Sequence, residues 1–251
     1  AAALAGAFSL NQIEGDTRAS VQDTAFTLSG NARGAATSVD TLRVRGDDNS
    51  RIFALSAGGA GAVASGSSSG GSGGGGGGGS GSSAIAVAGS VSVNVIKGVT
   101  SADFAYSTAA LDTGDARVTA RDHSLITAAA GGLSFSFASG QQGSSTALAA
   151  GVAAALNIID GGAGAGVSNA GLTWADGAAG DLTVQADSAQ KIGAYTLAAA
   201  VAGAIGSQGS GVAGAGAGSG SVNLLDASTE ATVRNSTVDT GMGSISVLAA
   251  D

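Results

Sequence analysis

Bulky and small residues alternate along several stretches of this chain, with the period of a β-strand. In Ile85-Ala-Val87-Ala-Gly89-Ser-Val91-Ser-Val93-Asn-Val95 the bulkier side chains share one face, and Ala88, Ser90 and Ser92 lie on the other. Matching stretches carry Leu4, Phe8 and Leu10, then Leu148, Val152, Leu156 and Ile158, on the bulky face. In a fourth copy that face becomes Gly214, Gly216, Gly218 and Gly220 before Val222. Taken alone, Leu148, Val152 and Leu156 also fit a helix, and Ala favours helix. The aligned copies decide for strand. The Ala/Ser face is low enough for another sheet to lie unusually close to it. Both faces are therefore expected to be covered, as in parallel sheets.

The alternating stretches recur. Asn11, Asn94, Asn157 and Asn223 close four of them, in Ser-Leu-Asn11, Ser-Val-Asn94, Ala-Leu-Asn157 and Ser-Val-Asn223. A second anchor follows each: Val44 leads to Asp48 and Ile52, Val118 to Asp122 and Ile126, Val184 to Asp187 and Ile192, and Val247 to Asp251. The intervals between successive asparagines are 83, 63 and 66. The chain reads as one repeat-built segment, 1–251, of roughly 65-residue units, with repeats at about 1–83, 84–146, 147–212 and a partial 213–251. The first unit is long because its Asn11–Val44 arm is extended and because it holds the Gly/Ser-rich stretch 65–83. That stretch occupies the place of Ser139-Gly-Gln-Gln-Gly-Ser-Ser145 and Ser207-Gln-Gly-Ser-Gly211, so it is expected to be an enlarged edge loop.

Short strands, tight Asp/Gly turns and no long helical pattern predict an all-β fold, a right-handed parallel β-solenoid (β-helix) with Gly/Ser-rich edge loops. About three coils of some 20 residues per repeat are expected, stacked about 4.8 Å apart, with one large flattened coil per repeat as the alternative. A polyglycine-helix bundle fits poorly with so many Val, Ile and Leu. Neither chain end resembles a cap. Such ends recruit further strands, so the expected partner is the protein itself, by head-to-tail stacking or by continuation of the chain.

Composition narrows the function. Gly occurs 45 times, Pro and Cys never, and charged residues make up 11%. With 44% apolar residues the chain is too hydrophobic for disorder and must pack. The net charge of −8 argues against nucleic acid, which requires clustered Lys and Arg. The longest apolar run, Thr146 to Ile159, falls short of the roughly 20 residues of a spanning helix, so no membrane span is expected.

Ser92–Ile96, Thr100–Phe104, Gly114–Ile126 and Ala129–Gly132 together resemble the repeats of large bacterial filamentous-haemagglutinin or autotransporter-type adhesins. The resemblance spans essentially the whole chain and rests on small-residue motifs. It implies secretion to the extracellular face of the bacterial cell surface. It also implies a stalk or filament role in adhesion, biofilm or intercellular contact, with surface glycans or host receptors as further partners. The poly-Gly stretch and the unequal first repeat depart from a regular array.

Candidate chemistry is sparse, and no enzyme activity is expected. His123 is the sole histidine, which rules out a His-pair metal site and leaves it as a turn residue. Arg45-Gly46-Asp47 spells an adhesion tripeptide, although chance and an ordinary turn explain it in so Gly-rich a chain. Asp47 with Asp48, or Asp112 with Asp115, could hold Ca²⁺ through loop carboxylates, but solvated turn residues are the plainer reading and no cofactor is expected. The lone Glu14 and Glu230 and the scattered Arg residues form no acid–base cluster for a polysaccharide-degrading β-helix. A binding module on the same scaffold would need exposed aromatics together, whereas Trp174, Tyr106 and Tyr195 are distant in sequence. Asn11, Asn94, Asn157 and Asn223 read best as an internal amide ladder, and Asp48, Asp122, Asp187 and Asp251 as structural repeat anchors.

Overall fold

The computed structural model describes residues 1–26, 29–30, 36–37, 41–66, 81–141, 143–175 and 177–251. Among these the structure is all β, with no helix, and its strands are paired in parallel apart from one short antiparallel pair, Ser29–Gly30 with Ala36–Thr37, and one isolated bridge. Four parallel sheets take their strands in rotation along the chain. Sheet 1 holds Ala2–Glu14 and Thr17–Gln22, then Ser82–Ala105, Ser145–Ser168 and Gly211–Arg234. Sheet 2 holds the short strands Ala25–Phe26, Thr108–Leu111, Gly171–Trp174 and Thr237–Asp239. Sheet 3 holds Leu42–Asp48, Ala116–Asp122, Leu182–Ser188 and Ile245–Ala250. Sheet 4 holds Arg51–Gly66, Leu125–Gly140 and Lys191–Gly206.

Register is continuous. Ser145 pairs with Ser82 and Ser168 with Ala105, and every residue between them keeps step. From Ser82 the chain passes once through each sheet and returns beside itself at Ser145, an interval of 63. The expected three short coils to a repeat are not what forms. The reason lies in strand length: the sheet 1 strands Ser82–Ala105 and Ser145–Ser168 run 24 residues and those of sheet 4 run 16, too long for so short a circuit. The edge-loop reading of 65–83 falls largely on residues 67–80, outside the described residues. The strands on either side end at Gly66 and begin at Ser82, level with Gly140 and Ser145.

Two packings follow one another along each circuit. Where sheets 1, 2 and 3 converge, inward alternation delivers Phe104, Leu111, Val118, Val167, Leu172 and Val184 to an ordinary apolar core. Trp174 closes it and donates its indole N–H to Gly114 O at 2.7 Å. Beyond Ile96, Ile126 and Ile159 sheets 1 and 4 lie face to face as a flat blade, and the interior changes to Ala84, Ala86, Ala138, Ala147 and Ser. Here the backbones nearly touch. A Cβ built on Gly151 would lie 2.6 Å from Ala199 O, and one on Gly132 would overlap Val152 O.

This arrangement overturns the expectation that both faces of the long strands are covered. Inward small residues leave no depth for large ones, so the bulky face points out: Leu4, Phe8, Val152, Leu133 and Leu197 are all more than half exposed.

The corner between sheets 1 and 2 is built the same way in each circuit. Asp23, Tyr106, Asn169 and Asn235 all have φ between 47° and 51°, the left-handed region. Asn and Asp tolerate it, whereas a larger side chain does so at a cost of roughly 1 kcal/mol. Ser107 follows Tyr106; its hydroxyl donates to Ala105 O at 2.8 Å and accepts from Thr24 N at 3.0 Å, tying neighbouring circuits together. Tyr106 is 64% exposed, so its ring recovers little of the strain. Tyr106→Asn should therefore stabilise the fold by about 1 kcal/mol, read as a higher urea midpoint. An unchanged or lower midpoint would mean that the ring makes contacts that offset the backbone cost.

Candidate functional site

The four asparagines are brought together in a single column on the inner side of sheet 1. Asn11 Nδ2 donates to Asn94 Oδ1, Asn94 Nδ2 to Asn157 Oδ1, and Asn157 Nδ2 to Asn223 Oδ1, each at 2.8 Å. Asn94 and Asn157 have no exposed surface. The second amide hydrogen is also used in the first two rungs, by Ser9 Oγ at 2.9 Å and by Ser92 Oγ at 3.0 Å. In the third rung Ala155 replaces that serine. The ladder sits where the flat blade meets the three-sheet core, beside Ile96, Ile126 and Ile159. Parallel in-register pairing places identical amides one above another, so each donor finds the next acceptor. The interior groups are committed to one another, which suits a structural joint better than a ligand site.

The aspartate anchors divide. Asp48 and Asp122 are register partners at the corner from sheet 3 to sheet 4. Asp122 Oδ1 accepts from Ser124 N at 3.0 Å and Ser124 Oγ at 2.6 Å; Asp48 Oδ1 accepts from Ser50 N at 2.9 Å and Ser50 Oγ at 2.7 Å. Asp187 does not share that column. It pairs with Arg121, and the place of Asp122 is taken by Ser188. Counting forward from Val184, the residue four places on is Ser188, and strict register follows the count, not the residue type. Gln190 Nε2 reaches across to donate to Asp122 Oδ2. Asp251 follows Ala250, the partner of Asp187, and so lies at the Ser188 level.

Arg45-Gly46-Asp47 lies inside the strand Leu42–Asp48, not in a turn. Leu42, Val44 and Gly46 alternate inward, and a Cβ on Gly46 would lie 2.7 Å from Ser101 O. Arg45 and Asp47 point outward and pair with each other. In this setting the tripeptide is extended and its charges are mutually engaged.

His123 occupies the corner after Asp122, with Nε2 3.8 Å from Asp187 Oδ2. Ser124 Oγ donates to Asp122, so the nearby Ser, His and Asp form no relay. Among the described residues no three His, Cys, Asp or Glu side chains gather as a metal-binding group. Asp115 Oδ2 instead accepts from Arg117 at 2.9 Å, and Asp115 Oδ1 accepts from Asp181 N at 3.2 Å.

One surface feature escaped the sequence reading. Arg43, Arg45, Arg117 and Arg121 line the outer face of sheet 3 together with Thr119. Strict alternation across register partners would have found them, since Arg43 pairs with Arg117. Asp47, Asp115 and Asp187 lie close by and temper the charge.

Among the described residues two carboxyls are perturbed. Partial burial raises Asp103, against the opposing pull of Arg18, so folding disfavours its charge and its contribution falls as pH rises through the acid range. Asp181 is held low by the Ser244 backbone N–H and hydroxyl. Its stabilising effect is present above the ordinary carboxylate range and fades as pH falls.

No protein-family model matches the chain, and no curated protein or solved structure shows significant similarity to it. What the geometry defines is an all-β protein of stacked parallel sheets in register.

Proposed function

We propose that this chain is a structural stalk or filament segment of a secreted or cell-surface bacterial adhesin, built as a right-handed parallel β-solenoid with one flattened coil per repeat. The observation that carries the reading is the unbroken register. The same residue levels meet across four successive strands of sheet 1, and the asparagine column runs through all four copies. Pairing of this kind has no internal stop. Each added unit buries the exposed sheet edges of the last, so length can grow while cross-section stays constant. The inward-turned amides of the ladder favour a mechanical role over ligand binding. The adhesin assignment rests on the sequence resemblance, and the surface glycans or host receptors it implies remain part of the proposal.

Rod growth gives a direct test. Inserting ten extra copies of residues 84–146 should lengthen the particle by about 48 Å at constant cross-section, one strand spacing of roughly 4.8 Å per copy. Small-angle scattering and negative-stain imaging read both dimensions. Growth by three strand spacings per copy, about 14 Å, would restore three coils per repeat. A particle that thickens rather than lengthens would sink the stalk. Labelling of intact producing cells with an antibody to the sheet 3 face tests surface display; signal appearing only after lysis would overturn that part.

A further inference from the structure

The flat blade turns apolar side chains outward on both faces. Sheet 1 presents Leu4, Phe8, Val91, Leu148 and Val152, and sheet 4 presents Phe53, Leu55, Leu133, Phe135 and Leu197, each at least 40% exposed. From 85 to 95 on sheet 1 and from 127 to 137 on sheet 4, these strands and their register partners hold no charged residue. On sheet 1 the large side chains belong to Ala2–Glu14, Ser82–Ala105 and Ser145–Ser168. In Gly211–Arg234 the outward positions are Gly214, Gly216, Gly218 and Gly220 over most of the band, so that strand adds little. Three strands over this height make about 520 Å² per face, at roughly 3.3 Å per residue and 4.8 Å between strands. The largest apolar patch on an ordinary monomer is about 300–600 Å² and is often functional. This blade carries two such patches back to back.

The charges that bound the two faces are opposite in sign. At the core end of sheet 1 stand Glu14, Lys97, Asp160 and Asp226, all at one register level. At the core end of sheet 4 stand Arg51 and Lys191, level with Leu125. Three acids against one lysine leave sheet 1 with two negative charges, and sheet 4 has two positive ones. Lys97 lies 4.0 Å from Asp160, which leaves Glu14 and Asp226 to set the sign. Both ranks stand at the same height of the blade. Glu14, Lys97 and Asp160 directly follow Ile13, Ile96 and Ile159, while Arg51 and Lys191 directly precede Ile52 and Ile192, and these isoleucines form one cluster. The far end of the blade, residues 139–141, 143–145 and 207–210, is uncharged on both sides.

We propose that the two blade faces are lateral interfaces between copies of this chain, the sheet 1 face of one copy lying on the sheet 4 face of the next with the charged ranks aligned. Charge selects this pairing. Sheet 1 on sheet 1, or sheet 4 on sheet 4, sets like charges against each other, whereas front-to-back contact sets Arg51 and Lys191 against Glu14, Asp160 and Asp226. Turning the partner end for end would leave both ranks facing the uncharged tip. A front-to-back contact does not close on itself, so one kind of partner covers both faces of every blade inside the array. With about 520 Å² on each partner the contact totals about 1,000 Å², at the lower limit of specific interfaces. Single chains therefore pair weakly, and pairing rises with concentration. The open strand edges lie at the ends of the circuits and take no part in this contact. The inference does not rest on the stalk reading, because one chain already carries both faces.

The test is sedimentation velocity of the whole 251-residue chain over a wide concentration series. Mass should rise with concentration. Leu133→Glu and Val152→Glu, both at exposed positions, should keep the circular dichroism spectrum and weaken association at least about tenfold, since each buries a charge without a partner. Thr119→Glu, on the outer face of sheet 3, should leave association unchanged. Two charge-reversed chains test the orientation. One carries Arg51→Glu with Lys191→Glu, and the other Asp160→Lys with Asp226→Lys. Each alone should associate at least about tenfold more weakly than the unmodified chain, because its two faces now repel. Mixing the two should restore association, since each then meets an opposite face. A monomer at every concentration would overturn the proposal. Association that ignores Leu133→Glu and Val152→Glu would overturn it too, and would assign self-assembly to the rod ends. Charge-reversed chains that associate as well as the unmodified one, or that fail to rescue each other, would overturn the front-to-back pairing.

Discussion

Asn94→Ala is expected to lower the unfolding free energy by about 3 kcal/mol, with Asn223→Ala costing about 1 kcal/mol or less. The two residues occupy the same column but different places in it. Asn94 donates to Ser92 and Asn157 and accepts from Asn11, with no access to water. Truncation removes three hydrogen bonds. It strands the Asn157 carbonyl oxygen and one hydrogen of the Asn11 amide, and a stranded buried group costs about 1–3 kcal/mol. Asn223 ends the column, is exposed, and only accepts. Urea unfolding of both variants gives the difference directly. Equal small losses would show that the column is not cooperative and that packing of Ile96, Ile126 and Ile159 alone secures the joint.

The ladder and the all-β character were legible because both depend on local pattern. Alternation marks a strand, and four asparagines in one local context mark a column once parallel pairing is assumed. Circuit length was not legible in the same way. The Asp/Gly turns near Asp112 and Asp115 resemble coil boundaries, yet they are corners within one circuit, and only the pairing of Ser82 with Ser145 distinguishes the two. The Asp187 assignment failed because residue type was followed over spacing. The left-handed corner was hidden at Tyr106, a residue type that gives no hint of positive φ, although Asp23, Asn169 and Asn235 at the same level do. Sidedness was the largest gap. Alternation reports two faces but not which one turns inward, and hydrophobicity alone selects the wrong face in the blade. The signal that could have decided it is volume. Gly58, Gly132 and Gly151 lie on the Ala/Ser face, and glycine at a strand interior often marks close approach of another backbone.

That sidedness yields the sharpest contrast available in this chain, between two adjacent residues. Gly132→Val is expected to destabilise the fold by about 3 kcal/mol or more, whereas Leu133→Ser should change it by less than about 0.5 kcal/mol in water. Intrinsic preference predicts the reverse. Valine favours strands and glycine weakens them by roughly 0.5–1 kcal/mol, and removing a large apolar side chain from a core costs about 2–5 kcal/mol. In this structure Gly132 points at the opposing sheet, where even a Cβ would overlap the carbonyl oxygen of Val152. Leu133 is 59% exposed on the outer face, so its truncation opens no cavity. Backbone cannot rotate aside as a side chain can, so valine must force sheets 1 and 4 apart and loosen Ala130, Ala153 and Ala155 around it. Thermal and urea unfolding of the two variants decide the matter. A stable Gly132→Val protein beside a collapsed Leu133→Ser protein would place the large residues inside and reverse the blade.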